Sequence, residues 1–565
     1  MSESSTGGMF SFLMKENIVA KPGFNRWYVP PASIAIHMCI GSVYAWSIFN
    51  PALTKELGVI ASAGDDWSLS SVVWIFSTAI VFLGLAAAFG GKWLEKVGPR
   101  AVGVVSAFCW GGGFLVGSIG IVTHQLWLIY LGYGAIGGVG LGLGYVSPVS
   151  TLIRWFPDKR GMATGMAIMG FGGGAMIGAP LIRWLLASNA KAPDFLGAES
   201  TVTLITENGR RFAETAAGKI EVVISAATET AEAGVYAVGT GNTGAAATFI
   251  TLGIVYFIVM MIASFLYRVP AAGWKPEGWD STTLTSKKMV TEKDVHIDQS
   301  LKTPQFWLIW IVLCFNVTAG IGVIGVAKTM MNEIFGDLAL VTAGFAATYV
   351  LMISVFNMTG RFFWATISDH IGRKNTYFWF FILGIILYLS IPYFATAGGT
   401  TALVGFYIAT MIIFTMYGGG FATIPAYLAD IFGTLHVGGI HGRLLTAWST
   451  AGVLGPFAIT YLRNMSKDSA IADLASKVDA AAFAEKFGAP LDQLTTLVSA
   501  NTVTIAKLME LAPTGTVDPT SSLYNTTMYA MAGLLVIGLI ANYMIKAVGE
   551  EHHVENTHGE TAPAE

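Results

Sequence analysis

The sequence predicts an all-α membrane protein: twelve transmembrane helices in two pseudo-symmetric six-helix halves. Three observations carry this. Of the 565 residues 54% are hydrophobic and 12% charged, about half the charge of a soluble domain. The apolar residues fall into about twelve runs of bilayer length. A polar loop of one pattern, acid then glycine then base, follows the second and the eighth run.

The composition also excludes function classes. The net charge is -3, and basic residues are scattered between apolar runs, so no nucleic-acid stripe exists. Cys39, Cys109 and Cys314 all lie inside apolar runs, which argues against a disulfide framework or a cysteine metal cage. Neither a metal nor a cofactor is expected. No phosphate-binding G-x-x-x-x-G-K-[ST], no H-E-x-x-H and no nucleophile pattern occurs. An enzyme is not expected, nor is ATP-driven transport within the chain.

In chain order, residues 1–26 form a polar tail with Lys15, Lys21 and Arg26. The first apolar run then continues past Trp27, too long and too late for a cleaved signal peptide, so it reads as an uncleaved first helix. The spans are read at 27–51, 68–91, 100–122, 126–152, 161–187 and 244–268, then 305–330, 341–366, 376–396, 401–429, 440–463 and 524–547. The N-terminal half is 27–268 with an insertion at 188–243, and the C-terminal half is 305–547 with an insertion at 464–523. A linker, 269–304, joins them, and a tail, 548–565, follows.

Charge sets the orientation. Lys92, Lys96 and Arg100 follow the second span, Arg154, Lys159 and Arg160 the fourth, and Arg373 and Lys374 the eighth, with Arg443 opening the eleventh. The loops on the other side carry little beyond Lys55 and His124, with Lys328 the chief exception. Positive residues mark the cytoplasmic side. Both termini, and a linker carrying Lys287, Lys288 and Lys293, are therefore expected in the cytoplasm of a multi-pass protein of the plasma (inner) membrane. Both insertions are expected outside. Their Ala- and Thr-rich composition, with helix-like stretches such as Ala475–Phe487, fits either a small cap or a solvated segment.

The halves repeat weakly. Glu95, Gly98 and Arg100 match Asp369, Gly372 and Lys374 in spacing, with Arg373 beside them. Gly144, Pro148 and Phe156 match Gly420, Pro425 and Phe432 in order, and Pro180 and Pro456 break the fifth and eleventh spans. Parallel duplication with a site between the halves is a common plan of secondary transporters. In the loops the acid caps a helix or pairs with arginine, the glycine allows a tight turn and the base faces the cytosol. Glu95, Gly98, Arg100, Asp369, Gly372 and Arg373 thus read as a conformational latch. The glycines crowding the fourth and fifth spans suit helices that pack closely or slide.

Arg361 is the principal candidate for chemistry. It lies eight residues before Asp369, so a helix places it ~12 Å inside the membrane surface. A guanidinium there costs about 2.5–3.5 kcal/mol unless it meets a partner or water. No acid sits one turn away. Asn357 and Ser354 share its stripe. A buried cation flanked by neutral hydrogen-bonding groups suits an anion from outside. The bland alternative is a side chain snorkelling to the interface. His37, Asn316, His441 and Asn542 are the other polar groups at depth.

Several stretches together resemble one family. They are Asn25-Arg-Trp27, Tyr44-Ala-Trp46, Arg154-Trp-Phe-Pro-Asp-Lys-Arg-Gly161, Thr303-Pro-Gln-Phe-Trp307, Phe356-Asn357 with Arg361, Ser368-Asp-His-Ile-Gly-Arg373 and Asp430-Ile-Phe-Gly-Thr434. They look like the oxalate:formate antiporter family of the major facilitator superfamily, relatives of the monocarboxylate carriers. The resemblance covers nearly the whole chain apart from the insertions and tails. It implies that Arg361 binds a substrate carboxylate, that Asn357 assists, and that Tyr44, Tyr145, Tyr417 and Phe421 form an aromatic cage. Trp448 stands where the family's oxalate exchanger has a lysine, and Phe171 where it has a tyrosine. Asn357 stands where animal monocarboxylate carriers have an aspartate.

The expected function is secondary transport of a small carboxylate by alternating access, in a monomer within the lipid bilayer. Its partners would be that anion and a counter-anion or a proton. A monocarboxylate such as formate, lactate, pyruvate or acetate fits one fixed cation best. Exchange of the oxalate:formate type and a non-transporting carboxylate sensor are the alternatives.

Overall fold

The computed structural model describes residues 10–207, 210–215, 218–225, 232–279, 289–291, 293–487, 489–499 and 503–553. Lys287 and Lys288 of the linker lie outside the described residues, as do residues 1–9 and 554–565 of the tails.

Long apolar runs dictate helices, because the membrane interior offers no water to satisfy backbone groups. Those of the first half are α1 (Val29–Gly41), α2 (Leu69–Val97), α3 (Pro99–Val122), α4 (Gly137–Trp155), α5 (Arg160–Asn189) and α6 (Ala245–Leu266). The second half has α7 (Pro304–Phe335), α8 (Ala343–Ile371), α9 (Arg373–Ala397), α10 (Gly399–Phe432), α11 in two pieces (Val437–Leu444 and Thr446–Lys477) and α12 (Asn525–Met544). Two spans are only partly α-helical. The first continues as a 3-10 helix over Ser42–Ile48, and the fourth opens through a π turn at Tyr130–Ile136.

Among the described residues, eleven helices are long and apolar enough to cross a membrane. The expected eleventh span is the one that differs. It breaks at Leu445, and its second piece runs on past Lys467 and Asp468 to Lys477, which dilutes its apolar character.

Local sequence explains the starts and stops. Thr303 and Thr342 cap α7 and α8 by accepting from Phe306 N and Phe345 N, and Ser68 does the same for α2. Each cap is worth about 1 kcal/mol. Gly98 and Gly372 take φ of +93° and +88°, so α2 turns into α3, and α8 into α9, without a linker. Large apolar side chains such as Phe89, Val122, Trp184, Ile262 and Trp379 remain exposed around the bundle, as a lipid-facing belt requires.

Within halves, α1 packs on α4, α5 and α6, while α7 packs on α10, α11 and α12. Between halves, α5 lies along α8 and α10, and α2 lies along α11. Glycines make the α5–α8 contact close. A Cβ on Gly172 would stand 2.9 Å from Arg361 Nε.

The segment between α5 and α6 departs from the helix-like composition read there. It forms an antiparallel sheet of β1 (Phe195–Gly197), β2 (Leu204–Glu207), β3 (Arg210–Thr215), β4 (Gly218–Ser225) and β5 (Gly234–Ala237), in the order β1-β5-β4-β3-β2. Period-two alternation explains it: Ala213, Val222 and Val235 form a small core of their own. The sheet docks on the loop after the first span. Arg210 pairs with Asp65, Gly239 N donates to Leu57 O at 2.9 Å, and Thr243 donates to Glu56. Burial pushes the Glu56 carboxyl up to about 7.

The segment before α12 is helical, with Ala480–Phe487 and Ile505–Met509 burying Phe483 and Leu508. It sits on the second half, with Ile505–Met509 against α11 and Pro519–Ser522 against α7 and α9; at its base Arg463 pairs with Glu333, and Tyr524 donates to that carboxylate at 2.6 Å.

Candidate functional site

Arg361 is fully buried between the halves. Its Nε donates to Asn357 Oδ1 at 3.1 Å, one turn earlier on α8. Nη1 reaches the Ile168 carbonyl of α5 at 3.4 Å, and Nη2 is buried with no hydrogen-bond partner. The guanidinium carbon stands 5.2 Å from the centre of the Phe421 ring and 5.7 Å from that of Phe171. These are cation–π distances, and among the described residues no carboxylate pairs with Arg361.

The six aromatic residues singled out in the sequence meet around this cation. Trp448, itself fully buried, lies 4.9 Å from Phe421, 5.3 Å from Phe171 and 5.3 Å from Tyr145, centre to centre. Tyr44 packs edge-on against Phe171 at 5.2 Å and shares a 3.4 Å hydroxyl contact with Tyr417 across the interface. Tyr417 packs edge-on against Phe421. The helices that bring them together are α4, α5, α8, α10 and α11, with Tyr44 from the 3-10 end of the first span. Ser354 is not among them: its hydroxyl turns back to the Val350 carbonyl.

Several polar atoms at this centre lack protein partners: the Tyr145 hydroxyl, Trp448 Nε1 and both ring nitrogens of His441. Buried polar groups are normally bonded. A cation with one free arm, ringed by aromatic faces and unmet donors, is equipped to take a small anion.

Toward the arginine-rich face, ionic contacts tie the halves together. Asp369 accepts from Gly161 N at 2.8 Å and Met162 N at 2.9 Å, so an acid of the second half caps α5 of the first. Arg373 donates to Asp369 at 2.6 Å and to Asp430 at 3.1 Å, and Asp430 also takes Arg160 at 3.0 Å. Glu95 mirrors this. It accepts from Gly438 N of α11 at 3.1 Å and pairs with Arg154. Each half thus caps a helix of the other, where the helix dipole favours an anion.

Arg100, read in the sequence as a base facing the cytosol, is buried and donates to the carbonyls of Phe12, Phe265 and Tyr267. The linker adds a clasp, since Asp298 takes both Arg443 and Lys92. Arg443, then Lys92, hold the Asp298 carboxyl down at about 2, so that clasp stays ionised at any physiological pH.

Sequence reasoning did not single out Arg160, Arg154 or Asp430 as parts of the ionic cluster, nor Gly172 as the residue that makes room for Arg361. The pair Arg160 and Asp430 lies within the quoted motif stretches, but sequence spacing gives no distance between halves.

Among the described residues, twelve principal helices in two halves, eleven of them long and apolar enough to cross a membrane, form a multi-pass membrane fold with a buried cation at its joint. The chain belongs to the Major Facilitator Superfamily, which matches residues 33–193 and 233–456. It is 27% identical over 433 residues to the "Oxalate:formate antiporter" of Oxalobacter formigenes, covering 76% of this chain and 83% of that one. It is 22% identical over 469 residues to "Apicoplast pyruvate carrier 1" of Toxoplasma gondii, covering 72% and 78%. A solved proton:xylose symporter of the superfamily superposes with a TM-score of 0.52 at 13% identity, over 92% of this chain and 95% of that one, which speaks for the fold alone. The protein is a transporter and not an enzyme.

Proposed function

We propose that the protein carries a small carboxylate across the plasma (inner) membrane by alternating access, with Arg361 pairing the carboxylate. The observation that carries this reading is the free Nη2 arm of a fully buried Arg361. Arginine's planar fork suits a carboxylate bidentately. Asn357 holds the fork from behind, and Tyr44, Tyr145, Phe171, Tyr417, Phe421 and Trp448 wall the centre. One fixed cation and a wall of rings favour a monocarboxylate such as formate, lactate, pyruvate or acetate. The test is a thermal-shift screen of small carboxylates on purified protein, since a ligand of the folded state raises its melting temperature. No shift with any of them overturns the reading.

A second reading, exchange of a dicarboxylate for a monocarboxylate, draws support from the oxalate:formate relative and from His441. Both nitrogens of that ring are unpartnered and its centre lies 5.8 Å from the Tyr145 ring. A dianion held by Arg361 alone leaves one charge unmet, a cost of several kcal/mol. Lactate or formate is therefore expected to outcompete oxalate by at least about tenfold, or ~1.4 kcal/mol. Trp448→Lys is expected to shift the balance toward oxalate. Competition for labelled monocarboxylate uptake in proteoliposomes measures both. Oxalate winning in the parent selects the second reading.

The Glu95 and Asp369 turns are proposed to face the cytoplasm with both termini, as the positive residues there suggest. In a cysteine-free background, Glu214→Cys and Asp492→Cys are expected to react with an impermeant thiol reagent added to intact cells, and Lys275→Cys to stay unlabelled. The reverse pattern inverts the topology.

A further inference from the structure

We infer that the seam between α3 and α6, where it meets the arginine-rich face, is a binding site for an anionic lipid whose phosphate is held by Arg100 and Arg268. Arg100 opens α3 and is buried. Its Nη1 donates to the Phe12 carbonyl at 2.9 Å, and its Nη2 donates to the carbonyls of Phe265 and Tyr267 at 3.1 and 3.2 Å. Arg268, just past the end of α6, reaches the same two carbonyls with its Nη1, at 3.1 and 2.8 Å. Two guanidinium groups thus crowd one pair of carbonyl oxygens. Like charges so close repel each other, and a carbonyl carries no net charge to cancel either.

The other arginines of this face each meet an acid. Arg26 meets Asp158, Arg154 meets Glu95, Arg160 and Arg373 meet Asp430, and Arg443 meets Asp298. Among the described residues, Arg100 and Arg268 meet none. Glu95 and Asp158, on the flanking turns, are already taken, and Glu16, exposed on the tail, bonds neither arginine. Donors remain for an anion. Arg100 Nε is buried with no partner. Arg268 is half-buried, and its Nε and Nη2 have no protein partner among the described residues. Phosphate oxygens match the planar fork of arginine.

The surroundings select a lipid over a free ion. Phe265 and Leu266 are exposed beside Arg268, and the Arg100 guanidinium carbon lies 5.6 Å from the centre of the Phe265 ring. Phe12 of the tail, also exposed, stacks on Phe265 at 6.1 Å. Exposed Ile262 and Phe108 continue the apolar face into the membrane, where Phe108 meets Phe257 across the seam at 5.0 Å. The seam itself is tight, since a Cβ on Gly111 of α3 would stand 2.7 Å from the Gly253 carbonyl of α6. Acyl chains therefore lie on it and not within it. A phosphate bearing acyl chains fits both the cations and the apolar face, whereas a free phosphate fits the cations alone. Basic pockets between spans bind anionic headgroups by this combination. Bound there, the lipid joins three parts of the first half: the tail at Phe12, the start of α3 and the end of α6.

The test is native mass spectrometry of the full-length protein in a neutral detergent, with dioctanoyl phosphatidylglycerol, dioctanoyl phosphatidylcholine and inorganic phosphate as probes. The two lipids share their chains, and inorganic phosphate carries charge without chains. Phosphatidylglycerol is expected to bind at least about tenfold more tightly than either of the others. Arg268→Gln is expected to lose about fivefold or more of that affinity. Lys96→Gln, which removes an exposed cation at the end of neighbouring α2, is expected to keep it. Phosphatidylglycerol binding no more tightly than phosphatidylcholine overturns the inference. So does unchanged affinity in Arg268→Gln, or an equal loss in Lys96→Gln, which would mean diffuse attraction without a site. Inorganic phosphate binding as tightly as the lipid overturns it as well, by making the ligand a free anion. If Arg268→Gln shows no melting transition, a photo-crosslinking phenylalanine analogue in place of Phe12 decides, in proteoliposomes of equal parts phosphatidylglycerol and phosphatidylcholine. Preferential capture of phosphatidylglycerol supports the site, and equal capture overturns it.

Discussion

Arg361→Gln is expected to abolish carboxylate binding and uptake, by two orders of magnitude or more, and to leave the protein folded. Truncating one partner of a buried charge pair costs about 2–5 kcal/mol, and here the lost partner is, among the described residues, the only fixed cation the centre offers a carboxylate. Folding should survive because, among the described residues, Arg361 has no ion partner to strand. Its removal takes away the cost of a cation held in a dry interior, so the melting temperature without ligand should hold or rise. The shift produced by lactate or formate should disappear. Arg361→Lys keeps the charge but loses the fork, the bond to Asn357 and the reach to Ile168; more than about tenfold loss is expected. Measured uptake and thermal shift of the three proteins decide. Near-normal uptake by the glutamine variant would make Arg361 a structural cation.

Asp369→Ala is expected to unlock the arginine-rich face. The carboxylate accepts two backbone N–H groups at the start of α5 and the Arg373 guanidinium, and its side chain is only 14% exposed. Removing one member of such a pair costs about 3–5 kcal/mol, enough to change the ratio of closed to open protein by about a hundredfold or more. Transport is expected to fall more than about tenfold, because a carrier that cannot close one side cannot complete its cycle. Thr164 reports the opening. It is buried on α5 and donates to the Ala422 carbonyl of α10 across the interface. Thr164→Cys in a cysteine-free background should resist a thiol reagent in the parent and react in the Asp369→Ala protein. Equal reactivity in both would show that the turn does not hold the halves together.

The membrane helices were legible because lipid imposes one rule on every span: apolar side chains outward and backbone bonds closed within the helix. The convergence of Arg361 with Tyr44, Tyr145, Phe171, Tyr417, Phe421 and Trp448 was legible through family resemblance, not through spacing, since these residues come from six different spans. The partners that close the arginine-rich face were not legible. Asp369 shows in sequence as an acid before a glycine, but its target, the start of α5, lies in the other half. The sheet was missed for a different reason. Composition averaged over a whole insertion hides the short alternation of Ile220, Val222 and Ile224 within Gly218–Ser225. The acceptors that Arg100 and Arg268 share are backbone carbonyls, which sequence never displays.

The two insertions are fastened to different halves. The sheet holds to Asp65, Leu57 and Glu56 beside the first span, and the helical segment holds to the second half, with Ile505–Met509 against α11 and Pro519–Ser522 against α7 and α9. Mechanically they are two levers on two rocking bodies. When the halves tilt about the buried centre, each lever sweeps with its own half, and the tips travel further than the helices that drive them. A pair of dyes, one at Glu214 and one at Asp492, would turn that sweep into a change of energy transfer and let single carriers be watched as they turn over.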